Sequence, residues 1–558
     1  MQNTESERSW PPKRRSKDAQ KESSKKRSVS LIMFILIDIV AIAIILFCIW
    51  GVVDTLKQPT VPTEPTTQTD PTSPTDPTNP TDPTNPTNPT NPTNPTDPTN
   101  PTDPTTPTDP TGTTDPTTPS NPTEPSTPTE PTVPTDPTEP TVSQAEIQAL
   151  ADKLVAEADF IAAGYDYQKA INMLKAFEYY EDVPELANKV AEYTTLESKL
   201  VSYPKMSAIT HIFFHSLIVD PARAFDGEYT QDGYNLYMAT VDEFMAILQQ
   251  MYDRGYVLVS PYDVAYEVTD EKGTRFVYGN IKLPEGKIPF LMSQDDVNYY
   301  SYMIGTGDGK NETPVFADTN GDGFASRIVI GEDGFPTCEY MDINGNVTTG
   351  DYDLVPVLES FIQEHPDFSY HGARAILGVT GYEGVFGYRT KPSYEGTIGT
   401  EAYQKEVEDA KAVAQCLRDH GWILASHSYG HPRYGDIADM NVAVDSDKWE
   451  TTCESIIGEV DVLLYPNGSD IQGWRYNYSF DNQKFKALYE DGYRYFFNVD
   501  SAISWCQVGD NYFRASRRNI DGYRMFHHPE KLEDLFDVSK VFDASRPTPV
   551  PPIGGTSM

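Results

Sequence analysis

From Ala208 onward the sequence predicts an α/β domain with a parallel sheet, open or closed into a barrel. Two observations carry this expectation. Short apolar, strand-like runs alternate with longer amphipathic stretches of helical period, and Gly, Pro or polar clusters punctuate them. In such folds the residues that end the strands gather at one face, and here those ends carry histidines and aspartates.

Taken in order, AITHIFF is an apolar strand that runs into His215. TVDEFMAILQQMYDRG, residues 240–255, opens with a Thr-Val-Asp-Glu capping signal and stops at Gly, as an amphipathic helix does. YVLVSP and KIPFLMS are the next strands, and the second ends at the doublet Asp295-Asp296. Helices are expected around Tyr352 to His365 and Glu401 to His420, with strands at ARAILGVT, WILASHS, VDVLLYP and YRYFFNV. Ahead of this head, residues 143–203 carry Ala, Leu and charge at helical spacing, broken at Gly164-Tyr165-Asp166. They predict a small helical module resembling one tetratricopeptide-type hairpin, with helices continuing over 167–180 and 184–200. Without a second full repeat it is expected to pack or space rather than to bind peptides.

The preceding segments predict an anchor and a stalk. Residues 1–30 form a basic tail, and 31–53 (LIMFILIDIVAIAIILFCIWGVV) have the length of a membrane-spanning helix, about 20 apolar residues. Lys13, Arg14, Arg15, Lys17, Lys21, Lys25, Lys26 and Arg27 keep the tail cytoplasmic by the positive-inside rule. A single-pass protein of the cell membrane is therefore expected, with everything after the span outside. Residues 54–142 repeat Pro-Thr-Asp, Pro-Thr-Asn and Pro-Thr-Glu almost without apolar side chains, so they are expected to be a disordered linker. As polyproline II, ~85 residues at ~3.1 Å each would reach on the order of 260 Å. The net charge of -40 over 558 residues excludes a nucleic-acid partner, which needs a basic footprint. Five scattered cysteines show no zinc-site spacing, leaving either one or two disulfides or plain buried thiols.

The chemistry-bearing residues concentrate at strand ends. Five of the nine histidines, His215, His427, His431, His527 and His528, lie there or close by. In SHSYGH, His427 and His431 are four apart, so one helical turn would bring both imidazoles to one side, as a divalent ion requires. Adding Asp296 gives two imidazoles and a carboxylate, with coordination positions left for water and substrate. A bound cation would also relieve the repulsion between Asp295 and Asp296. The competing reading of the doublet is a loop cap.

These residues resemble the polysaccharide deacetylases of the NodB-homology family, over roughly Ala208 to Phe536. The first family signature, a strand entering Thr-Phe-Asp-Asp-Gly, is matched by Ser293-Gln294-Asp295-Asp296-Val297. The second, His-Ser/Thr-x-x-His, is met by His427 to His431, and Phe213-Phe214-His215-Ser216 matches the entry strand of many members. The third, Arg-x-Pro-Tyr/Phe-Gly, reads Leu464-Tyr465-Pro466-Asn467-Gly468 and lacks its arginine, for which Arg514, Arg517 and Arg518 are candidate replacements. The fourth survives mainly as Trp505, with Ser501 and Ser504 in its acidic places, and the fifth is best fitted by Met525-Phe526-His527, with His528 the competitor.

The resemblance implies a distorted (β/α) barrel of about seven strands over 205–540, followed by a disordered tail at 541–558. It implies a divalent metal, zinc first with cobalt, manganese or nickel as alternatives, on Asp296, His427 and His431. Asp295 would be the base and His527 the acid. Tyr465, Pro466, Trp505 and His215 would line the substrate, with a backbone N–H near Tyr465 on the oxyanion. Aromatics at 298–303 and 474–478 would suit sugar rings. The implied activity is removal of N-acetyl groups from an extracellular glycan, such as peptidoglycan or a related cell-wall polymer. O-acetyl esterase activity and a catalytically impaired glycan-binding module are the alternatives. A further motif, Asp318 to Asp322 with an echo at Asp342 to Asn346, has the opening of a calcium loop but lacks its closing glutamate, and hairpin turns are the competing reading.

Overall fold

Apolar strands that are buried on both faces need cover on both sides, and a closed barrel wrapped by helices supplies it. The computed structural model describes residues 142–304, 321–500 and 504–553. Eight parallel strands carry the head: β1 Thr210–Phe214, β2 Tyr256–Leu258, β3 Ile288–Gln294, β4 Ile376–Val379, β5 Ile423–Ser426, β6 Val462–Leu464, β7 Tyr495–Val499 and β8 Phe513–Asn519. Seven of them close a ring in the order β1–β3–β4–β5–β6–β7–β8 and back to β1. The ring is distorted at one seam. β2 pairs with the first half of β3 (Leu258 opposite Phe290), whereas β4 reaches only its end (Ser293 opposite Ile376).

Side-chain alternation sorts the strand residues into two apolar layers. Phe290, Met292, Leu377, Leu424, Leu463 and Phe496 pack with Phe244, Ile247, Leu248, Leu358 and Leu417 of the surrounding helices. Their alternates, Leu291, Ile376, Ala425, Leu464, Phe497 and Ala515, form a separate cluster that fills the barrel. The outer helices include α4 Val241–Asp253, α5 Leu354–Glu364, α6 Thr400–Asp419 and α7 Asp439–Trp449, preceded in the chain by α1 Gln144–Ala163, α2 Tyr167–Lys175 and α3 Pro184–Glu197. The capping box expected for α4 is present: Thr240 and Glu243 bond each other's backbone N–H.

The helical module α1–α3 breaks at Gly164-Tyr165-Asp166 as expected and packs on the barrel. Its apolar residues share the cluster that fills the barrel. The Tyr165 hydroxyl donates to the Asp367 carbonyl (2.9 Å), and the His371 N–H donates to the Gly164 carbonyl (2.8 Å). Residues 365–373 lead into β4, so the module covers the end of the barrel opposite the strand C-termini.

Three expectations change or fall outside. The strand that closes the ring, β8, is not among the seven expected from apolar runs, because it carries the candidate arginines Arg514, Arg517 and Arg518, all three of them buried. The tail expected to be disordered at 541–558 is packed over its described residues: Val550 is buried, and Arg546 donates to both oxygens of buried Glu243 at 2.6 Å. The expected span at 31–53 and the stalk lie outside the described residues. Among the described residues no helix is long and apolar enough to cross a membrane. Cys338, Cys416, Cys453 and Cys506 are free buried thiols. Residues 342–346 form a hairpin turn whose Asp342 carboxylate accepts the Asn344 and Asn346 N–H groups at 2.8 Å, while most of the 318–322 motif lies outside the described residues.

The Glu243–Arg546 pair yields a stability prediction. Removing one partner of a buried ion pair leaves the other charge uncompensated, at about 3–5 kcal/mol. Arg546→Ala should lower the urea-unfolding free energy by that order, and an unchanged curve would show that the tail contributes nothing.

Candidate metal centre

Asp295 and Asp296 follow β3 directly, and an extended chain would send their side chains to opposite faces. The backbone prevents that. The Asp295 N–H donates to the Phe214 carbonyl of β1 (2.9 Å) and the Val297 N–H to the Gly378 carbonyl of β4 (3.0 Å), which pins the doublet between two strands. Between these anchors Asp296 takes φ +57°, a left-handed conformation that aspartate tolerates better than most residues. Tyr300 fixes the outcome, its hydroxyl donating to Asp296 Oδ1 (2.7 Å) and lying 2.8 Å from Thr380 Oγ1. Oδ2 is left facing the histidines.

SHSYGH is not a helical turn but a loop after β5, with Ser428 at φ +65° and His431 at φ +51°. Asp445 of α7 holds it, its two oxygens accepting the Tyr429 and Gly430 N–H groups at 2.9 Å each. The imidazoles meet with ring centroids 4.9 Å apart. Buried His427 makes a 2.9 Å hydrogen bond from Nδ1 to the Leu464 carbonyl; a carbonyl only accepts, so Nδ1 is the donor there and Nε2 is the nitrogen turned toward the cluster. Burial, and secondarily the neighbouring His427 and His215, lower the His431 pKa against the opposing pull of Asp296, favouring the neutral form that binds metal.

Asp296 Oδ2 lies 3.9 Å from His427 Nε2 and 3.8 Å from His431 Nε2, and one ligand atom of each of the three residues lies within 4.8 Å of the others. Those two separations are under twice the ~2.1 Å typical of zinc to nitrogen or oxygen, so the donor set fits a divalent ion with positions to spare. Asp447, Glu450 and Asp491 also bring ligand atoms together, but they are three half-exposed carboxylates without a histidine.

Asp295 faces the barrel interior. Arg517 of β8 donates from Nη1 to its Oδ1 at 2.5 Å, and both side chains are almost wholly buried. Burial alone would raise the Asp295 pKa. The guanidinium, assisted by His427, outweighs burial and holds the carboxyl well below the usual range. The same Nη1 reaches Ser293 Oγ (3.2 Å), which is 3.0 Å from Nε2 of buried His211, while Arg517 Nε donates to the Asn498 carbonyl (3.3 Å). Burial, then the Arg517 charge, keeps His211 neutral. Asp295 Oδ2 remains 3.7 Å from His427 Nε2, on the side of the cluster. The arginine absent from position 464 is thus replaced from another strand. One signal could have singled it out: Arg517 continues the interior alternation of Phe513 and Ala515.

Not every expected residue joins the cluster. His527 lies on the helix Gly522–His527, with Nε2 2.9 Å from the Val550 carbonyl, and no described contact links it to Asp295, Asp296, His427 or His431. The strand that closes the barrel simply ends eight residues earlier. His215 instead lies close enough for its charge to act on Asp295 and His431, with Nδ1 3.1 Å from the Tyr237 carbonyl. Tyr465 points into the outer layer, fully buried against Tyr478, and its N–H donates to the Phe497 carbonyl (2.9 Å), so that N–H is not free for an oxyanion. Pro466 is buried and begins a turn just past the Leu464 carbonyl that His427 uses. Trp505 stacks under Arg514 (5.0 Å) and donates to Asp500 (3.4 Å), without a described contact to the cluster. Ser504 bonds Thr210, and Ser501 lies outside the described residues.

The site and fold together define an α/β barrel with a two-histidine, one-aspartate cluster beside an arginine-held carboxylate. No protein-family model matches the chain, and no curated protein matches it. A search of solved structures finds the Streptococcus pyogenes deacetylase PplD in complex with acetate. The match has 14% identity and a TM-score of 0.31, and covers 59% of this chain and 97% of that one. At that overlap the likeness carries nothing further, and the chemistry is read from the residues themselves.

Because Tyr300 holds the ligand carboxylate, Tyr300→Phe should weaken Zn²⁺ binding about 10- to 100-fold in competition with a fluorescent chelator. Equal affinity would remove Tyr300 from the centre.

Proposed function

We propose that the barrel is a metal-dependent hydrolase that removes acetyl groups from an N-acetylated extracellular glycan, in the first place a cell-wall N-acetylhexosamine polymer. One observation carries this reading: Asp296, His427 and His431 converge beside a separate carboxylate, Asp295, that is kept ionised. The family resemblance of the two motifs supports the reaction. Exposed Trp474, Tyr476 and Tyr382 suit sugar rings, and the anchor and stalk expected from the sequence suit a substrate in the wall. The glycan-binding-module alternative rested on the arginine missing from position 464, and the Arg517–Asp295 contact supports the enzymatic reading over it.

A divalent ion on the three ligands would supply Lewis acidity, polarising the acyl carbonyl and acidifying a water. Asp295 then acts as base through Oδ2, since Arg517 occupies Oδ1. A carboxylate with so depressed a pKa is a weak base by itself and would serve here toward a water that a bound ion had made more acidic. His215, whose Nδ1–H is anchored on the Tyr237 carbonyl, is the imidazole positioned to protonate the departing amine from Nε2. His527 is not.

Incubation of the protein with N-acetylated chitooligosaccharides or muropeptides and Zn²⁺ or Co²⁺ should release acetate and leave a free amine. Acetate without amine, from an acetylated polysaccharide, would make it an esterase, and neither product would end the hydrolase reading. His215→Gln should lower kcat/KM by about 10²- to 10⁴-fold, whereas His527→Gln should leave it within a few-fold. The reverse order would restore His527 as the acid.

The Arg517–Asp295 pair sets the pH dependence. A nearby opposite charge lowers a carboxylate pKa by ~1–3 units, so Arg517→Gln should move the acidic limb of kcat/KM upward by that amount. An unmoved limb would mean that Asp295 is not the titrating base.

A further inference from the structure

A second buried carboxylate lies behind the site. Asp353 directly precedes α5 and is wholly buried. It accepts the Leu217 N–H (2.9 Å), the Gln294 side-chain amide (2.9 Å to each oxygen) and the Tyr299 hydroxyl (2.5 Å). Among the described residues no lysine, arginine or histidine forms an ion pair with it. Leu217 comes two residues after His215, Gln294 immediately before Asp295, and Tyr299 three residues after Asp296. Tyr299 is itself held at φ +50°. One side chain at the N-terminal boundary of α5 therefore ties together the segments that carry the expected acid, base and metal ligand. Gln294 sits on the outer face of β3, next to apolar Phe290 and Met292, where an apolar residue would have packed without needing a partner.

We infer that Asp353 is a positioning residue, a buried four-bond anchor that fixes the Asp295-Asp296 doublet and the His215 segment relative to one another. Burying an uncompensated carboxylate costs several kcal/mol, and apolar side chains of similar volume are commonly as stable or more so. Such a group is explained by the geometry it imposes. Burial raises the Asp353 pKa while the Tyr299, Leu217 and Gln294 donors oppose it, and each bond accepted by its ionised form is charge-assisted, stronger and more directional than a neutral one. Two of the bonds clamp the chain on either side of the doublet, so the left-handed turn at Asp296 is held from outside the barrel as well as by β1 and β4.

The inference rests on the metal-hydrolase reading, and Zn²⁺ affinity tests it without requiring turnover. Asp353→Asn preserves volume but weakens the acceptors. It should lower Zn²⁺ affinity about 10- to 100-fold, and kcat by a similar factor with KM within about two-fold. Adding Gln294→Glu reverses donor and acceptor across that contact and should recover part of both losses. Should Asp353→Asn fail to fold, Gln294→Met removes a single arm and should still weaken Zn²⁺ binding. A folded variant of either kind with wild-type Zn²⁺ affinity and kcat overturns the inference, as does a uniform loss of stability that leaves both unchanged. Wild-type protein that binds Zn²⁺ yet releases no amine would defeat the functional reading alone, because the affinity comparison stands. Wild-type protein that binds no Zn²⁺ would defeat both.

Discussion

A carboxylate inside a closed barrel must be compensated, and the pairing of Asp295 with Arg517 is the constraint around which the site is arranged. It spans the ring through its closure, since Asp295 follows β3, Arg517 lies on β8, and β1 runs between them. The Arg517 guanidinium also reaches the Asn498 carbonyl at the end of β7 and Ser293 of β3. One cation thus connects three strands at the level where the chemistry is expected. Removing it would leave a buried anion without its cation, which is why β8 can carry charge where its neighbours are apolar.

The two aspartates of the doublet are separated by what holds them. Asp295 has one oxygen on a cation and is ionised, whereas Asp296 has one oxygen on the Tyr300 hydroxyl and the other toward two imidazoles. Each keeps a single oxygen for work in the cluster. Around them the supports come from outside the barrel: Asp445 under the histidine loop and Asp353 behind the doublet. Loops at strand ends are thereby fixed by carboxylates on or at the start of the outer helices rather than by apolar packing, and this polar cover gives strained residues such as Asp296 and His431 a defined conformation.

Much of this was legible from the residue pattern. The strands that flank the motifs, the helices 241–253 and 400–419 and the break at Gly164 follow from apolar period and capping residues. The grouping of Asp296, His427 and His431 rested on ligand type and on two motifs. What misled was local reasoning about contacts made at long range. β8 carries arginines because they are neutralised by Asp295 and Asp534 and drawn toward Asp470, none of them in the strand itself and Asp295 more than two hundred residues away. His527 fits a motif by spacing, yet it falls on a helix after the last strand has ended. Tyr465 lies in a matching motif, but strand alternation turns it into the outer layer.

The sequence by itself determined the alternation of strand and helix, the polar residues at strand ends and the chemical type of the ligand set, because these depend on residue identity and short-range period. Only the tertiary structure decided which arginine compensates Asp295, which carbonyl holds His427, and that the doublet turns inward at Asp296. Each of these is a meeting of groups tens to hundreds of residues apart, fixed by barrel closure and by the cost of leaving a buried charge alone.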